Sequence, residues 1–263
     1  MDYVKVNARL WDEWARDNCV FSQPVSHEDF VKAKNGDWNI FATPQMPVPK
    51  HWFGDLKGKN VLCLASGGGQ QAPIFAALGA NVTVFDISQA QLDLDACVAQ
   101  REGITLTLIK GDMSKRLPFE AETFDLIFNP ASTTYIQEVE PLWKECYRII
   151  KKTGKLITAI TNPIVFAFDI DDGKLNLKYK LPYDPIKNVL LTEKGQFVDF
   201  QFSHSFTTQL GGQLKAGFVL NDLYEDRHLT SMPSGVKEPM KPAQIATILT
   251  DFVPIYLVTL AQK

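Results

Sequence analysis

A run of small residues, Ala65-Ser66-Gly67-Gly68-Gly69, follows the apolar stretch Asn60–Ala65 (NVLCLA) and precedes a helix-like QQAPIFAALG. Glycine lets a backbone pass close to a ligand, and the helix behind the turn offers free N–H groups to an oxygen-rich one. Any tight strand-to-helix connection also wants glycine, so the run by itself has a purely structural reading. Asp86 adds the second half of a site. It closes another apolar stretch, Asn81–Phe85 (NVTVF), nineteen residues after Gly67. A carboxylate at about that spacing can accept both hydroxyl protons of a ribose diol. Together the two features point to an adenosine-containing ligand. In a G-x-G-x-x-G frame begun at Gly67 the third place falls on Ala72, a permitted substitute, so a dinucleotide such as NAD stays open.

Residues of this kind need strands and helices to hold them. The short apolar runs at 60–65 and 81–85 suit fully buried strands, and Ile104–Ile109, Phe124–Asn129 and Lys155–Ile160 read the same way. Between them, Pro73 and Gly79 bracket one helix. Ser88-x-x-Gln91 has the form of a capping box opening a second, with an apolar stripe of Ala90, Leu94, Cys97 and Val98. A third helix near 138–151 carries Val139, Leu142, Trp143, Cys146 and Ile150 on one side, with Lys151, Lys152 and Gly154 at its end. The alternation predicts right-handed βαβ units: an α/β fold with a parallel sheet and helices on both faces, whose ligands sit at the carboxyl ends of the strands.

The flanking regions differ. Residues 1–58, with Trp11, Trp14, Trp38 and Trp52 and the prolines Pro44, Pro47 and Pro49, read as an aromatic-rich cap with helices near 7–16 and 26–34. Residues from about 163 to 199, including Asp169, Asp171, Asp172 and the hairpin-like KLNLKYKLPY, read as an insertion covering the site. A helix at Thr207–Ala216 and strands at Phe218–Tyr224 and Phe252–Leu260 are expected after it.

Composition narrows the function classes. Of 263 residues, 45% are apolar and 22% charged, ordinary values for a globular protein with a sizeable core. With 27 Lys+Arg against 30 Asp+Glu, the chain lacks the basic excess of a polyanion binder, so no nucleic-acid partner is expected. Cys19, Cys63, Cys97 and Cys146 form no C-x-x-C pair and are expected as buried free thiols, which fits a cytoplasmic location. His27, His51, His204 and His228 lie too far apart for a zinc set, so no metal is expected. No signal-peptide h-region and no run of 18 apolar residues is present, so no membrane association is expected.

VLCLASGGGQQAP, VTVFDIS, IKGDMSKRLPF and FDLIFNPAS, in that order, resemble the successive motifs of class I S-adenosylmethionine-dependent methyltransferases, and within them the small-molecule "type 11" group. The resemblance covers residues 59–162 and returns at HSFTTQLGGQLKAGFVLNDLYED and PIYLVTLAQK. It implies a Rossmann-like, seven-stranded, mostly parallel sheet with an antiparallel last strand, and a methyltransferase domain over 59–263. It also implies site roles. Ala65, Ser66 and Gly67 would line the methionine part of S-adenosylmethionine. Asp86 would hold the ribose and Ile87 pack on the adenine. Asp112 would accept from the adenine amino group with Met113 beside the ring, and Asn129 would face the methionine moiety and methyl group. Gln91 would approach the ribose or adenine, or only cap its helix. Two positions depart from the family: Cys63 stands where an acidic residue is usual, and Ala65 where a glycine is.

Methyl transfer from a sulfonium is an in-line displacement with a neutral leaving group. The enzyme must align a nucleophilic O, N, S or C atom and exclude water, and a base is needed only if that atom holds a proton. His204, before the late helix, is the candidate base. Tyr135 and Trp14 are candidates for contact with a small-molecule acceptor; Trp14 shares a helix face with Trp11, and all three rings have packing as their alternative. Three other readings remain. One is an NAD-dependent oxidoreductase, although no Tyr-x-x-x-Lys constellation follows the fourth strand. Another is an amine methyltransferase acting on nucleic acid or protein, for which Asn129-Pro130-Ala131-Ser132 lacks the second proline and the aromatic ring. The last is a non-catalytic binding module. Neither the acceptor nor the oligomeric state is legible.

Overall fold

The computed structural model describes residues 2–186, 199–231 and 241–263. Helices α1 (Tyr3–Arg16), α2 (His27–Lys34) and the single turn α3 (Lys50–Phe53) precede β1 (Asn60–Leu64). Then follow α4 (Gln71–Ala77), β2 (Asn81–Asp86), α5 (Gln89–Glu102), β3 (Leu106–Lys110), β4 (Phe124–Asn129), α6 (Glu140–Ile149) and β5 (Ile150–Thr161). A small hairpin, β6 (Phe168–Asp171) and β7 (Lys174–Leu177), comes next. The last described elements are α7 (Phe206–Ala216), β8 (Val219–Asp226), α8 (Lys241–Leu249) and β9 (Tyr256–Gln262).

Seven strands form one sheet in the order β3-β2-β1-β4-β5-β9-β8. β1 to β5 are parallel, and β9 runs antiparallel to both of its neighbours. β1 is central because both of its faces are apolar: Val61, Leu62, Cys63 and Leu64 are all fully buried. Strand period two then divides them. Val61 and Cys63 pack with Phe75 and Phe128, while Leu62 and Leu64 pack with Ile127 and Trp143. The chain steps outward from β1 to β3, then crosses back to place β4 on the other side of β1. The crevice at that reversal is where open α/β sheets bind ligands.

The leading segment is fastened to this sheet. Asp12 Oδ1 accepts from Ser88 Oγ (2.6 Å) and from the Ala90 N–H (3.0 Å), placing a negative charge at the N-terminus of α5, where the helix dipole favours it. Asn7 exchanges two hydrogen bonds with the backbone of Phe200 (3.0 and 2.8 Å). Trp52 and Phe53 enter the core cluster of Phe75 and Phe128.

Four expectations about elements need correction. The buried face of α5 is Leu92, Asp95 and Val98 with Gln91, so Cys97 is exposed while Cys19, Cys63 and Cys146 are buried and free. Polar Gln91 and Asp95 turn inward because they serve the glycine loop and the cap. The hairpin forms upstream of where it was expected, β6 pairing with β7 around Asp172 (φ 46) and Gly173 (φ 71), the two left-handed positions of a type I′ turn. β9 begins at Tyr256 rather than Phe252, which is 78% exposed. α8 was not expected at all. Of the insertion expected at about 163–199 to cover the site, residues 187–198 lie outside the described residues.

Candidate active site

The glycine loop is shaped by what presses on it. Ala65 (φ 48), Gly68 (φ 109) and Gly69 (φ 70) are left-handed, which turns the chain sharply from β1 into α4. Gly67 is not, yet a Cβ there would come within 2.8 Å of Gln91 Cβ and 3.1 Å of Asp86 Oδ2. That closeness lets the Gly67 N–H donate to Asp86 Oδ2 (2.9 Å), while Asp86 Oδ1 accepts from the Ser88 N–H (2.9 Å). Each carboxylate oxygen thus keeps a lone pair for a further donor. Burial raises the Asp86 pKa, against the lowering pull of those N–H bonds.

A second carboxylate stands beneath the loop. Asp95, fully buried on α5, accepts from the Gly68 N–H (3.1 Å). Desolvation pushes its pKa up to about 8. The thiol of Cys63 is raised well above its usual value by burial first and then by Asp95. So an acid is present here although β1 itself carries Cys63.

One cavity of about 420 Å³ opens at the carboxyl ends of the strands. Ala65, Ser66, Gly67, Asp86, Ile87, Gln91, Asp112 and Met113 line one part of it, and Trp11, Trp14, Phe21 and Tyr135 another. The Trp11 ring meets Trp14 edge-on at 5.0 Å and Tyr135 at 5.5 Å, and Trp14 stacks on Phe21 at 6.3 Å, forming an aromatic wall. Asp112 also accepts from the Ser114 N–H (2.8 Å), a local turn that fixes its carboxylate. Among the described lining residues the only charged side chains are Asp86 and Asp112.

Residues 62–158 match the family model described as a methyltransferase domain. The chain is 39% identical over 231 residues to YbaJ of Bacillus subtilis (strain 168), an uncharacterized methyltransferase, covering 85% of this chain and 91% of that one. The chain belongs to the class I methyltransferases. It is 25% identical over 197 residues to a ubiquinone biosynthesis O-methyltransferase of Pseudomonas savastanoi pv. phaseolicola, covering 70% of this chain and 80% of that one. It shares its fold with an S-adenosylmethionine dependent methyltransferase from Mesorhizobium loti, with a TM-score of 0.61 at 17% identity over 81% of this chain and 95% of that one.

In this methyltransferase two expected site residues stand elsewhere. Asn129 is fully buried and is not among the cavity-lining residues. Its Nδ2 donates to Leu64 O (2.8 Å) and Ser132 Oγ (2.8 Å), and its Oδ1 accepts from Thr158 Oγ1 (2.9 Å). It pins the ends of β1, β4 and β5 together, and its hydrogen-bonding capacity goes to the protein. His204 lines a separate depression with Tyr183 and Phe202. Its Nε2 sits 3.1 Å from Thr133 O and 2.9 Å from Ile136 O, so it carries a proton and donates to both carbonyls. Gln91 forms half of the expected capping box. Its N–H donates to Ser88 Oγ (3.2 Å), but its side chain reaches Ser22 Oγ (2.6 Å) and Trp11 O (3.3 Å).

The sequence reading missed the part of the methyltransferase's cavity contributed by Phe41–Pro44, by His228 and Leu229 after β8, by Pro242, Ala243 and Ala246 of α8, and by Tyr256. Asp226 joins the first two of these segments, with Oδ2 accepting from Thr43 Oγ1 (2.7 Å) and the Met46 N–H (2.9 Å). No local motif marks these positions; Asp226, the last residue of β8, and His228 just behind it are the polar residues that could have signalled them.

Proposed function

We propose that this methyltransferase moves the methyl group of S-adenosylmethionine to a small, largely apolar molecule. The observation that carries the reading is the single cavity shared by the Gly67–Asp86 cradle and the aromatic wall of Trp11, Trp14, Phe21 and Tyr135. The residues suit the cofactor. Asp86 keeps lone pairs for a ribose diol, the missing side chain of Gly67 lets Asp86 and Gln91 press directly on the loop and fix it, and no described cation lines the cavity to oppose a sulfonium. Ala65, Ser66 and Gly67 would hold the methionine part, Ile87 and Met113 would flank the adenine, and Asp112 would accept from its amino group. Bound there, S-adenosylmethionine supplies a methyl carbon already activated by a sulfonium.

The chain's own contribution is then alignment and exclusion of water. The aromatic wall keeps solvent from the transfer path, and Asp95 and Asn129 hold the loop and strand ends that set its geometry. His204 does not reach the cavity, so this reading assigns it no proton. A small-molecule acceptor is supported by the likeness to a ubiquinone biosynthesis O-methyltransferase and by the lack of a described basic side chain in the lining. The amine-methylating alternative loses support, because the Asn129 amide is spent on Leu64, Ser132 and Thr158.

Calorimetry tests the reading. S-adenosylhomocysteine should bind saturably and NADH should not. Asp86→Asn should weaken S-adenosylhomocysteine roughly tenfold to a hundredfold, the range for lost hydrogen bonds to a charged group. Unchanged affinity in Asp86→Asn would remove the ribose assignment.

A further inference from the structure

The same cavity is also lined by Val165, Leu229, Ala243, Ala246, His228 and Tyr256. His228 is held there from several sides. Its backbone N–H donates to Thr250 Oγ1 (2.8 Å), and its carbonyl accepts from Thr250 Oγ1 (3.1 Å) and from Gln45 Nε2. Its Nδ1 lies 2.9 Å from the Tyr256 hydroxyl. Nε2 has no hydrogen-bond partner among the described residues, although His228 is only 2% exposed. A buried ring nitrogen without a partner is destabilising, and a cavity beside it is where a ligand can satisfy it.

The chemistry of that ligand can be narrowed. Desolvation lowers the His228 pKa to about 4, so the ring is neutral near pH 7. A neutral imidazole offers one N–H and one lone pair. The Tyr256 hydroxyl takes one of them at Nδ1, which leaves the other at Nε2. A ligand hydroxyl satisfies either tautomer, because it both donates and accepts. Tyr256 flanks the ring and the other lining residues named above are aliphatic, and an anionic group would meet no described counter-charge in the cavity.

We propose that His228, oriented by Tyr256, anchors the methyl acceptor through a hydroxyl group, and that the acceptor is a neutral, apolar or aromatic molecule carrying that hydroxyl. This assignment rests on the methyl-transfer reading, and the experiment keeps the two apart.

Three probes, 4-ethylphenol, 1-ethyl-4-methoxybenzene and ethylbenzene, are titrated into the full chain saturated with S-adenosylhomocysteine. Binding is followed by protein NMR, with the histidine ring nitrogens observed directly. 4-Ethylphenol should bind at least tenfold tighter than ethylbenzene and should move the His228 Nε2 resonance, which ethylbenzene leaves in place. The ether reports the tautomer: affinity equal to the phenol means that Nε2 donates, affinity equal to the hydrocarbon means that it accepts, and both results support an anchor. His228→Phe should cut the phenol preference below threefold with S-adenosylhomocysteine affinity within threefold of wild type, and His228→Gln should restore part of it. A wild-type protein that binds 4-ethylphenol no tighter than ethylbenzene, or binds it without moving His228 Nε2, overturns the assignment even if His228→Phe fails to fold. If S-adenosylhomocysteine does not bind the wild-type chain, the methyl-transfer reading fails instead, and the same titration without it still decides the role of His228.

Discussion

The ring of His204 donates from Nε2 to two backbone carbonyls, Thr133 O and Ile136 O, and desolvation lowers its pKa. Such a ring staples the turn after β4 to the segment before α7. Replacing His204 with Phe should therefore cost about 1–3 kcal/mol of stability, the penalty for leaving buried carbonyls without their donor. Thermal melts should register that loss, while calorimetry with S-adenosylhomocysteine should find affinity within threefold of wild type. A tenfold loss of affinity with no change in melting would contradict the assignment. His204 and His228 look alike in sequence, each a lone histidine near an apolar run. Their partners come from residues 68 and 71 positions away for His204 and 22 and 28 away for His228, so no local pattern distinguishes a staple from an anchor. Asp86 was legible because its partner Gly67 lies one βαβ step away, and that step has a nearly constant length.

Helix α5 joins the glycine loop to the cap, and its buried acid makes that joint sensitive to pH. Desolvation drives the Asp95 pKa up to about 8, only partly offset by N–H bonds from Gly69 and Gly68. The folded chain thus keeps a proton that the unfolded chain releases near pH 4. The native state binds more protons between those values, so stability is fullest at the acid end of the window and falls as pH rises through about 8. His228, with its pKa lowered to about 4, has the opposite sign and gains stability as pH rises through its own window toward 6.5, so it is flat above that. Melting temperatures between pH 6.5 and 8 should therefore fall for the wild type and stay level for Asp95→Asn, which keeps an oxygen for the Gly68 N–H. Parallel curves would mean that Asp95 is ionised throughout. The inward turn of Asp95 contradicts the apolar stripe read from α5. Periodicity counts apolar residues, and it cannot foresee a carboxylate buried because a backbone N–H waits for it. α8 escaped for a related reason: KPAQIATIL is short, nearly uncharged and lies on no obvious face, and packing against the 163–167 turn and β6 is what holds it.

Cap, sheet and carboxyl-terminal elements enclose one cavity, so a ligand that fills it should stabilise the fold as a unit. S-adenosylhomocysteine at about a hundred times its Kd should add about 2.7 kcal/mol, a rise of roughly 5–10 °C in Tm for a chain of this size, and NADH should add nothing. Equal shifts from both would return the dinucleotide reading to favour. The central architecture was legible in the sequence. The buried runs at β1, β2 and β4, the glycine turn and the acid behind it are encoded by residues close in the chain, where strand and helix periods and short connections leave little freedom. No helix among the described residues is long and apolar enough to cross a membrane, in line with the hydropathy of the sequence. What only the tertiary structure decided is which polar groups are spent and which are left over. Asn129 and His204 are consumed by carbonyls and hydroxyls brought from other elements, and the buried Nε2 of His228 is left without a partner among the described residues, while Thr250 and Tyr256 hold its backbone and Nδ1. Those pairings depend on contacts between distant segments, and the energy of a buried polar group depends on the partner it finds there.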